Sequence, residues 1–599
     1  MTRNFNDTPL PHPDNVCFFD IEANGLSPTE VFCVVTKHKG TVNTFTNASE
    51  FKCYAGILGD DVYWCAHNGI GYDWPVLKKL WGYEGPKNIL DTLVLSRLAT
   101  PSRKGGHSLG NLGNLLGFPK GEHYDFSTYT PEMLEYCKQD VDVLEQVYNL
   151  LSKELQGFSK DAVFLETQVA LIIDQQVKHG WSFNSNEAHT LLAKLKEKLY
   201  ELEDEVQKRF VPLPIFKKQV TPKYKKDGEL SVVGLKFLGD RWTEVGGPLS
   251  HIEYPPFNLG SRQQIGRHLQ FYGWVPKKFT EHGQPIVDEK VLEDVTDVPE
   301  AQLIAEYLMV QKRKAMVDSW LEAVQESTGR IHGRVRSNGA ITGRMTHDSP
   351  NVAQVPASKK DKKTGALLYG HKAGWGADCR DLWTTPEGYK LVGCDASGLE
   401  LRMLAHYMDD DDYVKELLTG DIHTANQIAA GLSERSQAKT FIYAFLYGAG
   451  DAKIGTIVGG TAKDGRELKE RFLRNTPSLK RLRDRVTGAS DRGYLKGLDG
   501  RKLYIRSPHA ALNTLLQGAG AIVMKQGLVI LDEFAQKWSL DYHFVGNIHD
   551  EWQTEVREAH AEKFGHLAVS CIQAAGLKFN LRCPLDGEFK IGDTWAQTH

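Results

Sequence analysis

The apolar positions of residues 1–155 recur with two different periods, which predicts an α/β domain. Residues 16–19 (VCFF) form a short apolar run that ends in acidic residues, as a buried strand does at the edge of a sheet. Residues 88–98 and 132–151 instead place apolar side chains three or four positions apart, which predicts helices. Short strands mixed with longer helices are typical of an α/β fold.

The rest of the chain has mainly the helical period. Residues 161–210 predict one or two long helices with a charged outer face, and residues 300–325 predict another. Residues 211–256 are interrupted by prolines and carry several lysines around Tyr224, which predicts an irregular insertion. Strands are predicted at 389–394, 541–548 and 552–556, the last two joined as a hairpin.

Composition narrows the class of protein. A chain of 599 residues corresponds to about four domain-sized units, and 41% hydrophobic with 25% charged residues suits large cores. We find no apolar run long enough to cross a bilayer and no signal-peptide core, so we expect a soluble protein that stays where it is made. Nine cysteines without a CxxC pair indicate a reducing cytosol rather than disulfides or zinc. A net charge of −4 argues against a protein that coats nucleic acid, but it allows a local basic channel.

Acidic residues in the first domain could form a metal site. Asp20 and Glu22 stand two apart at a predicted strand end, so their side chains point to one face. Asp73 follows in HNGIGYD, and Tyr136 and Asp140 share one helix face at i, i+4. Four carboxylates in one pocket could hold two divalent metal ions ~4 Å apart, with Tyr136 orienting the attacking water.

Simpler interpretations exist for these acids. A pair of acids at a strand end is by itself usually a surface feature, and only the full ordered set favours chemistry. Asp91 is better explained as the N-cap of its helix than as a metal ligand.

A second set of acids lies in the C-terminal half. The strand at 391–394 delivers Asp395, and the predicted hairpin carries Asp550 at its tip. Phosphoryl transfer from a nucleoside triphosphate needs little covalent chemistry from the protein but is promoted by two metal ions. Asp395 and Asp550 are therefore candidate metal ligands, with the carbonyl of Ala396 as an additional donor. The short strings DAS and HDE are weak signals when taken alone.

A cationic stripe lies between these two acids in the chain. Arg435, Lys439 and Tyr443 recur every four residues on a predicted helix, and the eight steps between the first and last span ~12 Å. This length suits a nucleoside triphosphate, with cations on the phosphates and Tyr443 near the sugar or base. The alternative is an ordinary amphipathic helix with solvated cations.

The ordered motifs resemble two known families. FDIE, HNGIGYD and YCKQD resemble the proofreading 3′→5′ exonucleases of the DEDD type that carry tyrosine in the last motif. DASGLELR, GDIHT, RSQAKTFIYAFLYGAG and HDE resemble A-family DNA polymerases, in particular the replicative enzymes of short-tailed lytic bacteriophages (podoviruses). SNGAITGRMTHDSPNVAQVP and KGLDGRKLYIRSPHAALNTLLQGAGA extend this similarity over nearly the whole chain. The resemblance implies an RNase H-like exonuclease domain followed by a right-hand polymerase with palm, fingers and thumb.

The polymerase resemblance also implies roles for individual residues. Asp395 and Asp550 match the two palm carboxylates, and Glu551 matches a supporting acid beside them. Glu400 matches the steric gate against a ribose 2′-hydroxyl, although such an acid could simply face solvent. Residues that match nucleotide or DNA contacts are Arg435, Lys439, Tyr443, His423, Tyr447, Arg344, Gln517 and His549. The last three fall on minor-groove positions, where donors can test base-pair geometry because purine N3 and pyrimidine O2 accept in every correct pair.

The resemblance implies a cofactor, partners and domain limits. The cofactor is Mg²⁺, two ions per active site, with Mn²⁺ as a possible substitute. We expect primer-template DNA and dNTPs as substrates, a phage helicase-primase and single-stranded DNA-binding protein as partners, and a monomer in the cytoplasm of an infected bacterium. The expected domains are the exonuclease at 1–155, thumb at 156–325, palm at 326–400 and 518–599, and fingers at 401–517.

Three questions stay open at this stage. Residues 211–256 are shorter and differently composed than the thumb insertion of phage enzymes that recruit thioredoxin, so the need for a thioredoxin-like factor is undecided. The lysines there could bind a DNA backbone or form a solvated loop. The rival functions are a single-subunit phage RNA polymerase and a nucleic-acid-binding module whose polymerase half is inert.

Overall fold

A computed structural model describes residues 7–121, 123–221, 223–229 and 249–599. The chain divides into two compact units. One contains the residues up to Phe183 together with Ala323–Val355 and Trp383–His599, and the other contains Asn184–Glu322 and Pro356–Leu382.

The N-terminal domain is a five-stranded sheet covered by helices, as the two periods predict. Its elements are β1 Val16–Ala23, β2 Val31–His38, β3 Thr41–Phe45, α1 Ala48–Leu58, β4 Tyr63–Ala66, α2 Asp73–Trp81, β5 Ile89–Asp91, α3 Thr92–Ala99, α4 Leu109–Leu115 and α5 Pro131–Glu154. The strand order is β3-β2-β1-β4-β5, with β1 antiparallel to β2 and parallel to β4. The central strand β1 is buried on both faces, since Cys17, Phe19 and Ile21 enter one core cluster while Val16 and Phe18 enter another.

The helix predicted over 88–98 is wrong at its start. Residues Ile89–Asp91 form the edge strand β5, which pairs with β4, and the helix begins only at Thr92. Asp91 caps that helix by accepting a hydrogen bond from the amide of Leu93, as predicted.

The segment 161–210 forms two helices rather than one. Helix α6 (Lys160–His179) is followed by the short strand β6 (Trp181–Phe183) and then by α7 (Ser185–Arg209). Gly180 separates α6 from β6 at a φ of 69°, a conformation that favours glycine. Helix α6 belongs to the first unit, and the second unit begins at Asn184.

The second unit is described by itself. Its main elements are α7, β7 (Ile215–Val220), β8 (Leu249–Glu253), α8 (Arg262–Phe271), α9 (Glu289–Glu293) and α10 (Pro299–Ala323). Strands β7 and β8 pair antiparallel, with a register shift between Phe216 and Lys218, so the predicted irregular insertion has a pair of strands near its two ends. Residues 222 and 230–248 of that insertion lie outside the described residues.

The C-terminal half is built on a four-stranded antiparallel sheet. From β9 onward the elements are β9 Val324–Gln325, β10 Arg330–Ile331, β11 Arg334–Arg336, β12 Thr346–Asp348, β13 Lys359–Lys360, β14 Leu367–Leu368, α11 Gly376–Arg380, β15 Trp383–Thr384, β16 Tyr389–Ala396, α12 Leu399–Met408, α13 Asp411–Thr419, α14 Ile422–Ala430, α15 Arg435–Leu446, α16 Asp451–Ile457, α17 Ala462–Asn475, α18 Pro477–Ala489, β17 Tyr494–Lys496, β18 Lys502–Tyr504, α19 Ala511–Lys537, β19 Tyr542–Ile548, β20 Glu551–Arg557, α20 Ala561–Lys578, β21 Gly587–Gly592 and α21 Trp595–Thr598. The sheet order is β19-β20-β16-β21, which places the predicted strand and hairpin side by side.

One helix corrects the statement that no apolar run could cross a membrane. Residues Pro508–Lys537 are long and apolar enough by length and hydropathy, with a mean hydropathy of 1.4 over the best window. That window is 89% buried within the protein, as in a core helix, and its residues pack in the same core cluster as β16 and β20.

Candidate active sites

The first site forms where β1 faces α5. Asp20 and Glu22 both lie on that face, as the strand period predicts, and Glu22 is buried. Their carboxylate oxygens and the Sγ atom of Cys137 on α5 all lie within 4.8 Å of one another. The Cys137 thiol donates a hydrogen bond to Oδ2 of Asp20 at 3.6 Å, a contact that the sequence did not indicate.

Two further acids join this site. Asp73, the first residue of α2, is buried and close enough to Asp20 for the two charges to repel. Helix α5 presents Tyr136 and Asp140 one turn apart, and Asp140 is also buried. The five residues predicted for this site are therefore neighbours in one cluster, whereas Asp91 caps its helix.

The acids of this cluster have raised pKa values when no cation is bound. Burial, followed by repulsion from Asp140, raises the pKa of Asp20 to about 7. Burial and the charges of Asp20 and Asp140 raise the pKa of Glu22 to about 9. The pKa values of Asp73 and Asp140 are raised as well, in both cases mainly by burial.

One carboxylate oxygen of this cluster is available to bind a metal ion. Among the described residues, Oδ1 of Asp140 is buried and has no hydrogen-bond partner, although Oδ2 is paired with Lys120. A buried carboxylate oxygen without a partner is costly unless a ligand completes it. Crowded acids with raised pKa values and one such oxygen fit a divalent cation. Lys120 is a residue that the sequence analysis missed, because it lies in a loop without a spacing signal.

The second site lies where β16 meets the β19–β20 hairpin. Asp395 stands opposite Glu551 in the β16–β20 register, and the Ala396 amide donates a 3.0 Å hydrogen bond to the Asp550 carbonyl. The hairpin turn is tight, since His549 adopts a φ of 59° between the two strands. Desolvation, then the charges of Asp550 and Glu551, raise the pKa of Asp395 to about 7. The three predicted acids are therefore neighbours whose mutual repulsion a cation would relieve.

Glu551 differs from the other two acids because both of its carboxylate oxygens accept hydrogen bonds. It is buried, and it accepts hydrogen bonds from Trp595 Nε1 at 2.9 Å, from His599 Nδ1 at 2.6 Å and from Gln553. Burial alone would raise its pKa, but the bonds from His599, Gln553 and Trp595 lower the pKa below its ordinary value. Glu551 is thus held ionised by the last turn of the chain, which the sequence analysis did not foresee.

Helix α15 carries the predicted cationic stripe. Arg435 forms a two-point ion pair with Asp421, from Nε to Oδ2 at 2.6 Å and from Nη2 to Oδ1 at 2.9 Å. Asp421 also caps α14 by accepting from the amides of His423 and Thr424. The ring of His423 lies 6.4 Å from that of Tyr443, so the predicted residues of both motifs share one region.

Glu400 connects this helix to the predicted minor-groove residues. The Tyr447 hydroxyl lies 2.7 Å from both carboxylate oxygens of Glu400, and Arg344 Nη2 lies 3.5 Å from one of them. Tyr447 in turn stacks toward Tyr443 at 6.5 Å. Glu400 is therefore held in place by its neighbours rather than free in solvent.

His549 and Gln517 complete the predicted set. Burial, then the nearby Arg344 charge, lower the pKa of His549, so the ring is neutral near pH 7 and has one donor and one acceptor nitrogen. Gln517 lies on α19 and is half-buried.

Two family profiles match this chain. The profile described as DNA polymerase family A matches residues 240–597, and the profile of the RNase H superfamily matches residues 17–128. These ranges contain the second and the first acidic cluster respectively, apart from Tyr136 and Asp140, which follow the RNase H match.

Two curated relatives align with nearly the whole chain. The DNA-directed DNA polymerase of Escherichia phage T7 is 36% identical, and the alignment covers 97% of this chain and 99% of the relative. The enzyme of the same name from Enterobacteria phage T3 is 35% identical with the same coverage. A solved structure, the POL domain of Pol1 from M. smegmatis in complex with DNA primer-template and dNTP, has the same fold at a TM-score of 0.73. That match has 17% identity and covers 97% of this chain and 96% of the solved one.

Proposed function

Because this chain belongs to DNA polymerase family A and carries an RNase H superfamily domain, we propose that it replicates a bacteriophage genome and proofreads its own product. In this proposal it extends a primer on a DNA template and removes mispaired 3′-terminal nucleotides. The DNA polymerase relatives from phages support this assignment over the single-subunit RNA polymerase considered from the sequence.

One observation carries the proposal: each half of the chain has its own cluster of acids. Asp20 and Glu22 meet Asp140 in the N-terminal domain, and Asp395 meets Asp550 on the C-terminal sheet. Two separate clusters suit two phosphodiester reactions of opposite direction. An inert polymerase half would not need a second crowded set of carboxylates.

Divalent metal ions, Mg²⁺ in our proposal, would be held by these acids. Asp395, Asp550 and the Ala396 carbonyl would hold them in the polymerase site, and Asp20, Glu22 and Asp140 in the exonuclease site, with Asp73 close by. When bound, such ions lower the pKa of the attacking hydroxyl or water and neutralise charge on the leaving oxygen. Mn²⁺ should substitute, since oxygen ligands suit both ions.

The protein's own residues orient the nucleotide in this proposal. Arg435, Lys439 and His423 contact the triphosphate, and Tyr443 packs against the sugar. Glu400, fixed by Tyr447, occupies the space that a ribose 2′-hydroxyl would need. Arg435 must leave Asp421 to reach a phosphate, so the ion pair at 2.6 Å describes the protein before nucleotide binding.

Three polar residues are proposed to monitor the new base pair. Arg344 and His549 lie close together beside Glu400, and Gln517 lies on α19. Hydrogen-bond donors in the minor groove find an acceptor at every correct base pair and lose that acceptor at a mispair. Slower extension at a mispair would give the primer end time to reach the exonuclease site.

The remaining assignments are proposals of the same kind. The palm corresponds to the sheet β19-β20-β16-β21, the fingers to residues 401–517, and the thumb to helices of the second unit. We propose primer-template DNA and dNTPs as substrates, a helicase-primase and a single-stranded DNA-binding protein as replication partners, and a monomer in the cytoplasm of the infected host. A thioredoxin-like processivity factor stays an open alternative, to be tested by primer extension with and without host extract.

Separate loss of the two activities tests the proposal. Asp395→Ala should abolish primer extension and leave excision of a single-stranded 3′ end intact, and Asp20→Ala/Glu22→Ala should do the reverse. Glu558→Gln, an exposed acid just after β20, is the matched control and should keep both activities. Loss of both activities in either site variant, with the fold retained, would contradict the division of labour.

A further inference from the structure

Lys120 is a cation placed inside the proposed exonuclease site. Its Nζ lies 2.5 Å from Oδ2 of Asp140 and 4.8 Å from the ring centroid of Tyr136. Its charge is also close enough to act on the ionisation of Asp20 and Glu22. Among the described residues, no other lysine or arginine forms an ion pair with the four acids of this site, which are Asp20, Glu22, Asp73 and Asp140.

The loop that carries Lys120 is fixed to α5. Gln139 Nε2 donates a 3.0 Å hydrogen bond to the carbonyl of Pro119, directly before the lysine. On the other side, a Cβ added to Gly121 would lie 2.9 Å from Gln139 and 3.2 Å from Tyr136, so the backbone there is in close contact with the helix. Lys120 is therefore held over the helix face that bears Tyr136 and Asp140.

The two oxygens of Asp140 have different environments. Lys120 takes Oδ2, and within the described part of the chain Oδ1 is buried without a partner. A lysine on one oxygen and a metal ion on the other are therefore compatible, because they need different lone pairs. The carboxylate can turn only if its ion pair with Lys120 breaks.

We propose that Lys120 is a positioning residue of the exonuclease, which fixes the Asp140 carboxylate so that Oδ1 faces the metal site and holds the Tyr136 ring beside it. The competing idea is that Lys120 only fills the place of a metal ion and must leave before reaction. The inference deepens the proposed excision function and rests on it.

The first test is turnover at saturating metal. Lys120→Met keeps the length of the side chain but removes its charge, and we expect a 10- to 100-fold lower kcat for excision of single-stranded DNA, about the usual effect of losing a partner of a metal ligand. Lys120→Arg should recover part of this loss, since it can still pair with Asp140. Lys37→Met is the matched control, because Lys37 pairs with Asp142 and Glu145 on the same helix, and it should leave kcat unchanged.

The second test measures metal binding without turnover. Mn²⁺ binding is followed by electron paramagnetic resonance in the full chain carrying Asp395→Ala and Asp550→Ala, so that the exonuclease site dominates. Lys120→Met should bind Mn²⁺ at least as tightly as the parent, because a nearby positive charge has been removed. Lower turnover with retained metal binding is the result that the proposal predicts.

Three outcomes would overturn the inference. The first is an unchanged kcat in Lys120→Met, and the second is weaker Mn²⁺ binding with kcat restored by excess metal. The third is a kcat in Lys120→Arg that is no higher than in Lys120→Met. If the unsubstituted chain does not excise single-stranded DNA at all, the proposed function fails instead.

Discussion

A buried charge network at the centre of the first unit gives the sharpest prediction about stability. Glu166 on α6 accepts from Arg501 Nη1 and from Lys525 Nζ, both at 2.6 Å through the same oxygen. Arg501 also pairs with Asp499, and all four side chains are at most 2% exposed. The network therefore joins α6, the β17–β18 hairpin and α19.

Replacing Glu166 by Gln removes a charge that no water can replace. Arg501 keeps Asp499, but Lys525 is left as a buried ammonium without a carboxylate. Breaking a buried ion pair from one side costs about 3–5 kcal/mol. Burial already lowers the pKa of Lys525 to about 8 with Glu166 present. Without Glu166 the lysine can release its proton, so we expect the lower end of that range.

Denaturant unfolding followed by circular dichroism, with residual polymerase activity as a second probe, measures this effect. Asp174→Asn is the matched control, because Asp174 forms a partly exposed i, i+4 pair with Lys178 on the same helix and should change stability by less than about 1 kcal/mol. Glu166→Gln/Lys525→Met should recover much of the loss, since the unpaired charge of Lys525 is gone as well. Equal stability of Glu166→Gln and Asp174→Asn would refute the reasoning.

Three further predictions concern the two sites. The raised pKa values of Asp20 and Glu22 (about 7 and 9) mean that the metal-free folded protein holds protons that the unfolded chain releases. The contribution of these two acids to the melting temperature in EDTA should therefore fall between pH 5 and pH 9, and the increase in melting temperature on adding Mg²⁺ should grow with pH. An increase with Mg²⁺ that is independent of pH would contradict this. Glu400→Ala should increase ribonucleotide incorporation in single-nucleotide insertion assays, because the acid held by Tyr447 would no longer fill the sugar pocket, and unchanged selectivity would remove Glu400 from the gate. Asp421→Asn keeps the cap of α14 but frees Arg435 from its ion pair, so this variant should have a lower KM for dNTPs. The control Asp451→Asn, which loses ion pairs to Lys469 and Arg466, should leave the KM unchanged. A raised KM in Asp421→Asn would count against Arg435 as a phosphate ligand.

Local periodicity predicted the parts of the fold that position the acids. The alternation in β1 placed Asp20 and Glu22 on one face, and the β19–β20 hairpin was found with its tip at Asp550. These predictions succeeded because strand and hairpin patterns depend on neighbours in sequence. The three-residue strand β5 was missed because its apolar residues, Ile89 and Leu90, lie four positions before Leu93 and Val94 respectively and so also fit the helical spacing of α3.

Contacts between distant residues could not be predicted in this way. The Lys120–Asp140 pair spans 20 positions but joins a loop to a helix, so no periodic signal marks it. Glu166 and Arg501 are 335 positions apart, and only the fold brings them together. The hydrogen bonds from His599 and Trp595 to Glu551 form in the same way only because β16 and β20 lie side by side and α21 packs against them.

Anomalous scattering from crystals soaked in Mn²⁺ would test the central claim most directly. The account predicts manganese peaks in both clusters, one bound by Asp395 and Asp550 and another bound by Asp20, Glu22 and Oδ1 of Asp140. Peaks in only one cluster, or Asp395 and Asp550 too far apart to share an ion, would contradict the assignment of one phosphodiester chemistry to each half of the chain.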